Sequence, residues 1–313
     1  EGVFTIGCAG GMDTNLNLPV VMEAVPPGYE IRRLEVGGLE GGHSGIEIHV
    51  GKANANVLML RGLREIIDLV PEARVGELRG GTAHNAIPRE ASALLAVPFS
   101  RLEDVEALIG RLEATLKSEY AVIEPNLSLA LTKSQSPEGG LFNMETSGRI
   151  VDALRLIPHG VKHMSAEIEG VVDTSMNFAV LSTKADMVSV LTNRRSAVMS
   201  RGADFSAMMF GLARLYGGSY ETGNQYPPWE PRTESDVMER AKMIWTDLFG
   251  KEPEVEVTHA GLECGAIGAT FPNLDMISFG PTIMQPHSPD ERMLIPSVGR
   301  VRKFFRELLK SYR

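Results

Sequence analysis

The sequence predicts an α/β protein in which one α/β domain is interrupted by a second domain of mixed α+β type. Two proline clusters divide the chain, Pro26-Pro27-Gly28 near its start and Tyr226-Pro227-Pro228-Trp229-Glu230-Pro231 in its last third. After the second cluster, helices and strands alternate with loops between them, which is typical of a sheet whose loops gather at one edge. We therefore expect residues 1–26 and 226–313 to form one domain and residues 27–225 to be an insertion.

The bulk composition is that of an ordinary globular protein, and it narrows the range of partners. Of 313 residues, 43% are hydrophobic and 23% are charged, and the formal net charge is −9. An acidic chain argues against nucleic acid or an anionic membrane as the main partner. No apolar run approaches the roughly 18 residues of a membrane span. Cys8 and Cys264 are too few for a disulfide scaffold, so we expect a reduced, cytoplasmic setting.

The first domain piece opens with a strand candidate, Val3 to Ile6, followed by the glycine-rich run Gly7-Cys8-Ala9-Gly10-Gly11. The run lacks the lysine of a phosphate-binding P-loop and the spacing of a dinucleotide-binding motif. We interpret it as a tight turn at which the backbone passes close to another segment.

The insertion begins with one strand-helix unit, residues about 27–135. Periodicity predicts a strand over 29–39, a helix over 53–69, strands over 74–78 and 91–97, and then a second helix. The apolar face of the first helix includes Val57, Leu60 and Ile67. Ser100 and Glu103 have the spacing of a capping box at the start of the second helix.

A second strand-helix unit, residues about 136–225, follows a polar linker over 134–140. Its predicted elements are a helix over 142–156, strands over 171–181 and 187–191, and a helix over 204–215. His84-Asn85-Ala86-Ile87 of the first unit aligns with Met176-Asn177-Phe178-Ala179 of the second, and a strand follows each at a similar distance. This faint repeat favours two stacked units that share one continuous sheet.

The last domain piece carries two loops that follow predicted strands. Thr233 and Asp236 are expected to cap a helix that ends at Gly250. A strand over 254–258 leads into the loop His259 to Gly265, and a short strand over 276–279 leads into a second loop. The final helix is amphipathic, with Val301, Phe304, Phe305, Leu308 and Leu309 on one face.

Two histidines lie in loops suited to chemistry. His287 lies between Pro286 and Pro289, which stiffen the backbone just past a predicted strand end. Neutral imidazole is the commonest metal ligand in proteins. His43 lies among glycines in Gly41-Gly42-His43-Ser44-Gly45, where the backbone can approach a ligand closely. From the residues alone, either histidine could instead do no more than stabilise its own turn.

Three motifs together resemble a known family: Gly41 to His49 (GGHSGIEIH), Thr258 to Gly265 (THAGLECG) and Phe279 to Arg292 (FGPTIMQPHSPDER). They are similar to the aminoacyl-histidine dipeptidases, the peptidase D or Xaa-His branch of the M20 zinc peptidases, and the resemblance extends along essentially the whole chain. It implies an M20-type catalytic α/β domain interrupted by a lid, with the doubled lid of the monomer-like branch. It also implies hydrolysis of small Xaa-His dipeptides by a water activated at two zinc ions. Whether the protein forms a homodimer stays open.

The resemblance implies roles for individual residues. His287 matches a zinc ligand, and His43 matches the lid histidine that donates a hydrogen bond to the tetrahedral oxyanion. Asn85 matches the asparagine of an N-x-I-P motif that contacts substrate, although it could instead cap the following turn. Arg195 matches the lid arginine that holds the substrate carboxylate as a bidentate pair. Arg194 is the competing choice, and a surface ion pair is the alternative role for either arginine.

The remaining candidates are less specific. We infer that Glu263 reads the C-terminal residue of the substrate; alternatively, its carboxylate holds His259 or the loop backbone. Cys264 has no base within its motif, so we do not interpret it as a nucleophile. The other histidines are interpreted as structural or surface residues, namely His49, His84, His159 and His163.

The family's other zinc ligands and its general base precede the region that this sequence covers. These are an H-x-D pair, a bridging Asp, a further Asp and a Glu-Glu pair, so His287 is the one recognisable ligand here. We therefore expect this chain alone to be inactive toward dipeptides. The rival functions are another M20 activity, such as a carboxypeptidase or deacylase, and a non-catalytic binding or dimerisation module, which the missing ligands favour.

Overall fold

The computed structural model describes residues 1–166, 168–232, 234–284 and 291–312. The strands in these residues are β1 (Val3–Cys8), β2 (Gly10–Pro19), β3 (Met22–Glu23), β4 (Tyr29–Gly37), β5 (Gly42–His43), β6 (Arg74–Gly80), β7 (Ala86–Ile87), β8 (Ala91–Pro98), β9 (Ser128–Lys133), β10 (Leu141–Phe142), β11 (Gly160–Met164), β12 (Val172–Lys184), β13 (Met187–Ser196), β14 (Ser219–Tyr226), β15 (Glu254–Thr258), β16 (Ile283–Met284) and β17 (Arg292–Met293). The helices are α1 (Ala55–Leu69), α2 (Leu102–Glu119), α3 (Met144–Arg155), α4 (Met199–Tyr216), α5 (Asp236–Phe249), α6 (Glu263–Thr270) and α7 (Ile295–Lys310). Among the described residues, no helix combines the length and the apolar character needed to cross a membrane.

The chain divides into two compact units, and the first boundary differs from the expected one. The larger unit is Gly11–Gln225, and the smaller unit joins Glu1–Gly10 with Tyr226–Arg313. The sequence placed the first boundary at residue 26, after the proline cluster. Residues 11–26 belong instead to the larger unit, because β2 is a strand of its sheet and buries Leu16 and Leu18 in its core.

The larger unit is built on one sheet whose main path runs β14-β2-β13-β12-β6-β8-β4-β9, with β11 paired to β12. In the first predicted unit β4, β6, β8 and β9 form antiparallel pairs, and in the second β12 pairs antiparallel with β13. The two groups of strands meet where β6 pairs with β12, with Leu181 opposite Gly80. The strands of both predicted units therefore lie in one sheet.

Helix α1 shows how local sequence and burial fix an element of this unit. Its N-cap is Asn54, whose Oδ1 accepts the N–H of Asn56 at 2.9 Å and of Val57 at 3.3 Å. Leu60 and Ile67 are buried as predicted, whereas Val57 is 38% exposed and does not belong to the apolar face. The buried face is instead centred on Met59, Leu63 and Ile66, at helical spacing.

Other elements of the larger unit differ from prediction at their ends. Helix α2 follows a 3-10 turn, Phe99–Arg101, which places Arg101 rather than Ser100 at the cap position. No side chain caps that helix, so the predicted capping box of Ser100 and Glu103 is wrong. Strands β12 and β13 extend further than predicted, and α4 begins at Met199 rather than at residue 204.

The smaller unit has a two-stranded parallel sheet of β1 and β15, and α5 and α7 pack with β1 in one hydrophobic cluster. Its core is aromatic: Phe4 stacks on Phe304 with ring centroids 5.1 Å apart, and Trp245 meets Phe304 edge-on at 5.3 Å. Ser235 caps α5 by accepting the Met238 N–H at 3.1 Å. Gly250 ends α5 with φ +68°, as predicted, while the expected capping residue Thr233 lies outside the described residues.

Two expectations for the smaller unit need correction. The glycine-rich run Gly7 to Gly11 spans the end of β1 and the start of β2 and is extended rather than a tight turn, but its backbone does pass close to another segment. A Cβ added at Gly10 would lie 2.6 Å from the backbone nitrogen of Pro228, so only glycine fits there. The strand predicted over 276–279 is not formed, because Ser278 makes only a single bridge with Thr5.

Candidate active site

His43 lies in a short ladder in which β5 pairs antiparallel with β7. Its Nδ1 accepts the backbone N–H groups of Gly45 at 3.1 Å and of Ile46 at 3.2 Å. A ring nitrogen that accepts a hydrogen bond carries no proton, so the neutral ring holds its proton on Nε2. The loop therefore fixes the tautomer in which His43 offers an N–H donor at Nε2.

An ion pair holds the backbone of the His43 loop. Glu47 Oε2 accepts the His43 N–H at 2.8 Å, while Lys52 Nζ lies 2.8 Å from Glu47 Oε1 and donates to the Gly41 carbonyl at 2.7 Å. Burial pushes the pKa of Glu47 upward, but the hydrogen bonds from Lys52 and His43 outweigh it and lower that pKa below its ordinary value. Glu47 therefore stays ionised near neutral pH and keeps both of its partners.

Arg195 lies on β13 opposite Ser175 of β12, and it is only 5% exposed. A Cβ added at Gly45 would lie 3.0 Å from Cε1 of His43 and 3.1 Å from Cζ of Arg195. The imidazole and the guanidinium therefore flank the same glycine. Gly45 does not have a positive φ, so the space it leaves, rather than its backbone conformation, accounts for glycine at this position.

Arg194 points away from His43 and toward α4. Its Nε donates to Ser206 Oγ of α4 at 2.8 Å, and its Nη2 lies 3.8 Å from Met12 Sδ. Successive side chains of a strand point to opposite faces of the sheet, so neighbouring arginines cannot share one site. Of the two candidates, Arg195 is the one that lies beside His43.

Asn85 belongs to a loop that is bonded to the His43 loop. Its carbonyl accepts the N–H of Ser44 at 2.8 Å, and the next residue, Ala86, is the ladder partner of His43. In the described part of the chain the Asn85 side chain makes no hydrogen bond, so it does not cap the following turn. The larger unit thus brings His43, Arg195 and the loop of Asn85 together.

Glu263 lies in the smaller unit and opens α6, which replaces the loop expected there after Leu262. An exposed carboxylate in the first turn of a helix is favoured by the helix dipole. Within the described residues it makes no hydrogen bond to His259, the alternative role considered above. Burial, followed by the neighbouring Cys8 and Glu263, raises the pKa of Cys264, which is the opposite of what an activated nucleophile needs.

His287 and its flanking prolines lie outside the described residues, so the geometry of the expected zinc ligand is not part of the structure described. In residues 1–166, 168–232, 234–284 and 291–312, no three His, Cys, Asp or Glu side chains are grouped as a metal site.

Three supporting residues were not found from the sequence. Glu47 and Lys52 hold the His43 loop, and Asn177 donates from its Nδ2 to the carbonyls of His84 at 3.2 Å and Ala86 at 2.7 Å. The faint internal repeat was a usable signal for the third, because it aligns Asn177 with Asn85. No motif singled out the other two.

The chain is similar to known peptidases in both sequence and structure. Residues 34–124 match the M20 peptidase dimerisation domain. Over 315 residues the chain is 40% identical to the cytosol non-specific dipeptidase of Escherichia coli (strain K12), covering 99% of this chain and 64% of that protein. The crystal structure of aminoacylhistidine dipeptidase from Vibrio alginolyticus superposes with a TM-score of 0.91 at 37% identity, covering 99% of this chain and 63% of that one.

The chain therefore spans slightly less than two thirds of the length of each of these relatives. Both the α/β class and the resemblance predicted from three motifs are confirmed, since the similarity to dipeptidases runs along 99% of the chain in sequence and in structure. The chain is thus similar to dipeptidases along almost its whole length, and residues 34–124 match a domain of the M20 peptidases.

Proposed function

We propose that the protein carrying this chain is a metal-dependent dipeptidase, in which the chain supplies the lid and the C-terminal part of the catalytic domain. The chief support is the approach of His43, Arg195 and the Asn85 loop around Gly45. A donor with a fixed proton, a buried guanidinium and a side-chain amide suit a short peptide with a free carboxylate. The printed names of the two relatives, both dipeptidases, agree with this assignment.

Each residue has a separate part in the proposal. Arg195 holds the substrate carboxylate through two parallel hydrogen bonds, and Asn85 bonds the peptide with its amide. His43 donates from Nε2 to the carbonyl oxygen as negative charge develops on it. Glu263 reads the C-terminal residue. Zinc, held in part by His287 in the whole protein, would supply a Lewis acid and an activated water.

The substrate class is the finer part of the proposal. One relative is named a non-specific dipeptidase and the other an aminoacylhistidine dipeptidase, so we propose broad dipeptide hydrolysis with a preference for Xaa-His, in the cytosol. Turnover of Ala-His, Ala-Ala and acetylated amino acids by the full-length protein tests this. Faster turnover of the acetylated amino acids would favour a deacylase, and turnover of longer peptides from their C-terminus would favour a carboxypeptidase.

The role of Arg195 is tested by removing the substrate's charge. In the full-length protein, Arg195→Lys should lose nearly as much kcat/KM as Arg195→Ala, on the order of 1.5–3 kcal/mol of transition-state binding, because lysine cannot form the bidentate pair. The wild type should prefer Ala-His over C-terminally amidated Ala-His, and both variants should lose that preference. A variant that still discriminates acid from amide would place the carboxylate site elsewhere.

Gly45 gives a second test that does not remove a functional group. Gly45→Ala should push the His43 ring and the Arg195 guanidinium apart and lower kcat/KM on the order of tenfold, because small misplacements of reacting groups are costly. Gly110→Ala is the matched control, since that glycine lies exposed in α2 with nothing within 4 Å of an added Cβ. Equal activity of the two variants would argue against a shared site at Gly45.

The oligomeric state is a separate part of the proposal. The region that matches a peptidase dimerisation domain contains the end of β4 and the whole of β6 and β8. Its β6 is paired with β12 of the same chain, and the outer strands of the sheet are β14 and β9. We propose that any homodimer uses surfaces other than the β6 edge, which light scattering of wild type and edge-strand variants would test.

A further inference from the structure

Asp13 is a buried carboxylate at which three segments of the larger unit meet. It lies on β2 and is 3% exposed. Asn193 of β13 donates from Nδ2 to its Oδ1 at 2.7 Å, and Asn224 of β14 donates from Nδ2 to its Oδ2 at 2.7 Å. The third partner is His84, whose Nδ1 lies 3.1 Å from Oδ1 and 3.0 Å from Oδ2. These contacts replace the water that a buried carboxylate would otherwise need.

The contact with Asp13 defines the state of the His84 ring. An ionised carboxylate only accepts hydrogen bonds, so Nδ1 of His84 carries the proton that it donates to Asp13. The His84 side chain is 41% exposed, whereas that of Asp13 is 5% exposed. Packing alone therefore does not fix the ring, and the bond to Asp13 is what ties it to the sheet. His84, assigned from sequence to a structural or surface role, has a defined buried partner.

The backbone next to His84 is held from two further directions. Asn177 Nδ2 donates to the carbonyls of His84 and Ala86, at 3.2 Å and 2.7 Å. Between them, the Asn85 carbonyl accepts the Ser44 N–H at 2.8 Å, which bonds this loop to the one that carries His43. In the described residues the Asn85 side chain has no bond of its own, so its position follows from the position of this backbone.

We propose that Asp13 and His84 are positioning residues that set the place of Asn85 for its hydrogen bond to a peptide substrate. The inference rests on the proposed function, in which Asn85 contacts that substrate. Asp13 fixes the His84 ring. The ring and Asn177 then fix the backbone on either side of Asn85. The side-chain amide of Asn85 is therefore held in one position. Neither Asp13 nor His84 needs to touch the substrate for this role.

Amide hydrogen exchange tests the anchoring without reference to activity. His84→Ala is the primary variant, because a half-exposed side chain can be removed without opening the core. We expect the exchange rates of the bonded amides of Ser44 and Ala86 to rise roughly tenfold, with the amides of α1 unchanged. His163→Ala, at an exposed histidine of β11, is the control and should leave all of them unchanged. Unchanged exchange in His84→Ala would overturn the inference.

A double-mutant cycle in the full-length protein tests the link to substrate. His84→Ala and Asn85→Ala should each raise KM for Ala-His, roughly tenfold, with a smaller effect on kcat, and the double variant should be no worse than Asn85→Ala alone. Additive effects would show that His84 does not act through Asn85 and would overturn the inference. If Asn85→Ala alone changed nothing, the proposed role of Asn85 would fail, and the inference that rests on it would fall even with the exchange result intact.

A swapped pair tests whether the carboxylate itself is needed. Asp13→Asn turns an amide toward the amide of Asn224, so two donors face each other and KM should rise as in His84→Ala. Adding Asn224→Asp restores a donor and an acceptor at that contact, while Oδ1 of residue 13 still accepts from Asn193 and His84. We expect the double variant to recover most of the exchange protection and of the KM. A double variant no better than Asp13→Asn would overturn the assignment of Asp13.

Discussion

Mild acid is predicted to destabilise the larger unit through His159. Nδ1 of this residue lies 3.2 Å from Nδ2 of Asn54, which caps α1 and also donates to the Phe178 carbonyl of β12 at 3.0 Å. Burial lowers the pKa of His159 from 6.5 to about 4. A ring nitrogen that accepts from an amide is unprotonated, so the contact and the lowered pKa both indicate a neutral ring, which holds the residue that joins the first helix to the central sheet.

The direction and size of the effect follow from the two protonation equilibria. Because the pKa of His159 is lower in the folded protein, the unfolded chain takes up its proton first as the pH falls. The contribution of the neutral ring is therefore fully present above pH 6.5 and is lost as the pH falls toward 4. A shift from 6.5 to about 4 corresponds to a loss of about 3 kcal/mol at 1.36 kcal/mol per unit.

The assay must report on the larger unit alone. Both tryptophans, Trp229 and Trp245, lie in the smaller unit, so their fluorescence does not follow the relevant transition. Hydrogen exchange of the α1 amides gives the free energy of opening instead. His159→Gln keeps an acceptor for Asn54 but does not titrate, and His163→Gln, at an exposed histidine, is the control.

Between pH 7 and pH 4.5 the wild type should lose roughly 2 kcal/mol more of this opening free energy than His159→Gln does. The His163→Gln control should behave like the wild type. Parallel losses in wild type and His159→Gln would refute the reasoning, because they would mean that His159 can be protonated in the folded protein at little cost.

Three further outcomes are expected. In the full-length protein, His287→Ala should lower bound zinc and activity together, because a lost ligand removes the metal and its activated water; zinc content and rates near wild type would make it a loop histidine. His43→Ala should lower kcat roughly a hundredfold with a smaller change in KM and no change in bound zinc, because the proposed oxyanion donor acts mainly in the transition state. A loss of bound zinc would instead make His43 a ligand. Cys8 is fully buried and burial raises its pKa, so it should resist iodoacetamide at pH 7.5 until the protein unfolds; rapid labelling of the native protein would contradict this.

Elements with strong periodicity were predictable from sequence, and elements without it were not. The apolar face predicted for α2 is confirmed, because its five residues are all buried: Leu102, Val105, Ile109, Leu112 and Leu116. Strand β14 was missed because its residues are almost all exposed, so no alternation of apolar side chains marks it. Helix α6 was missed for a related reason: its glycine-rich sequence has no apolar stripe, and Gly265 is its one buried residue.

The sequence offered candidate residues for a site but did not predict how they are arranged. The identities of His43, Asn85 and Arg195 came from a resemblance between motifs. Their approach depends on two pairings between segments far apart in sequence, β5 with β7 and β6 with β12, which no local pattern encodes. The choice between Arg194 and Arg195 shows this most clearly, because adjacent residues of the same type differ only in the face of the strand to which they point.

The internal repeat shows why a matching motif does not by itself assign a role. Asn85 and Asn177 occupy the same position of the repeat, yet one lies in a loop and the other is 1% exposed within β12. Asn177 uses its amide to hold the carbonyls on either side of Asn85, whereas the Asn85 side chain makes no hydrogen bond within the described residues. Residues at equivalent positions can thus take complementary roles once one unit supports the loop of the other. That division follows from the pairing of β6 with β12, which joins the two units in one sheet.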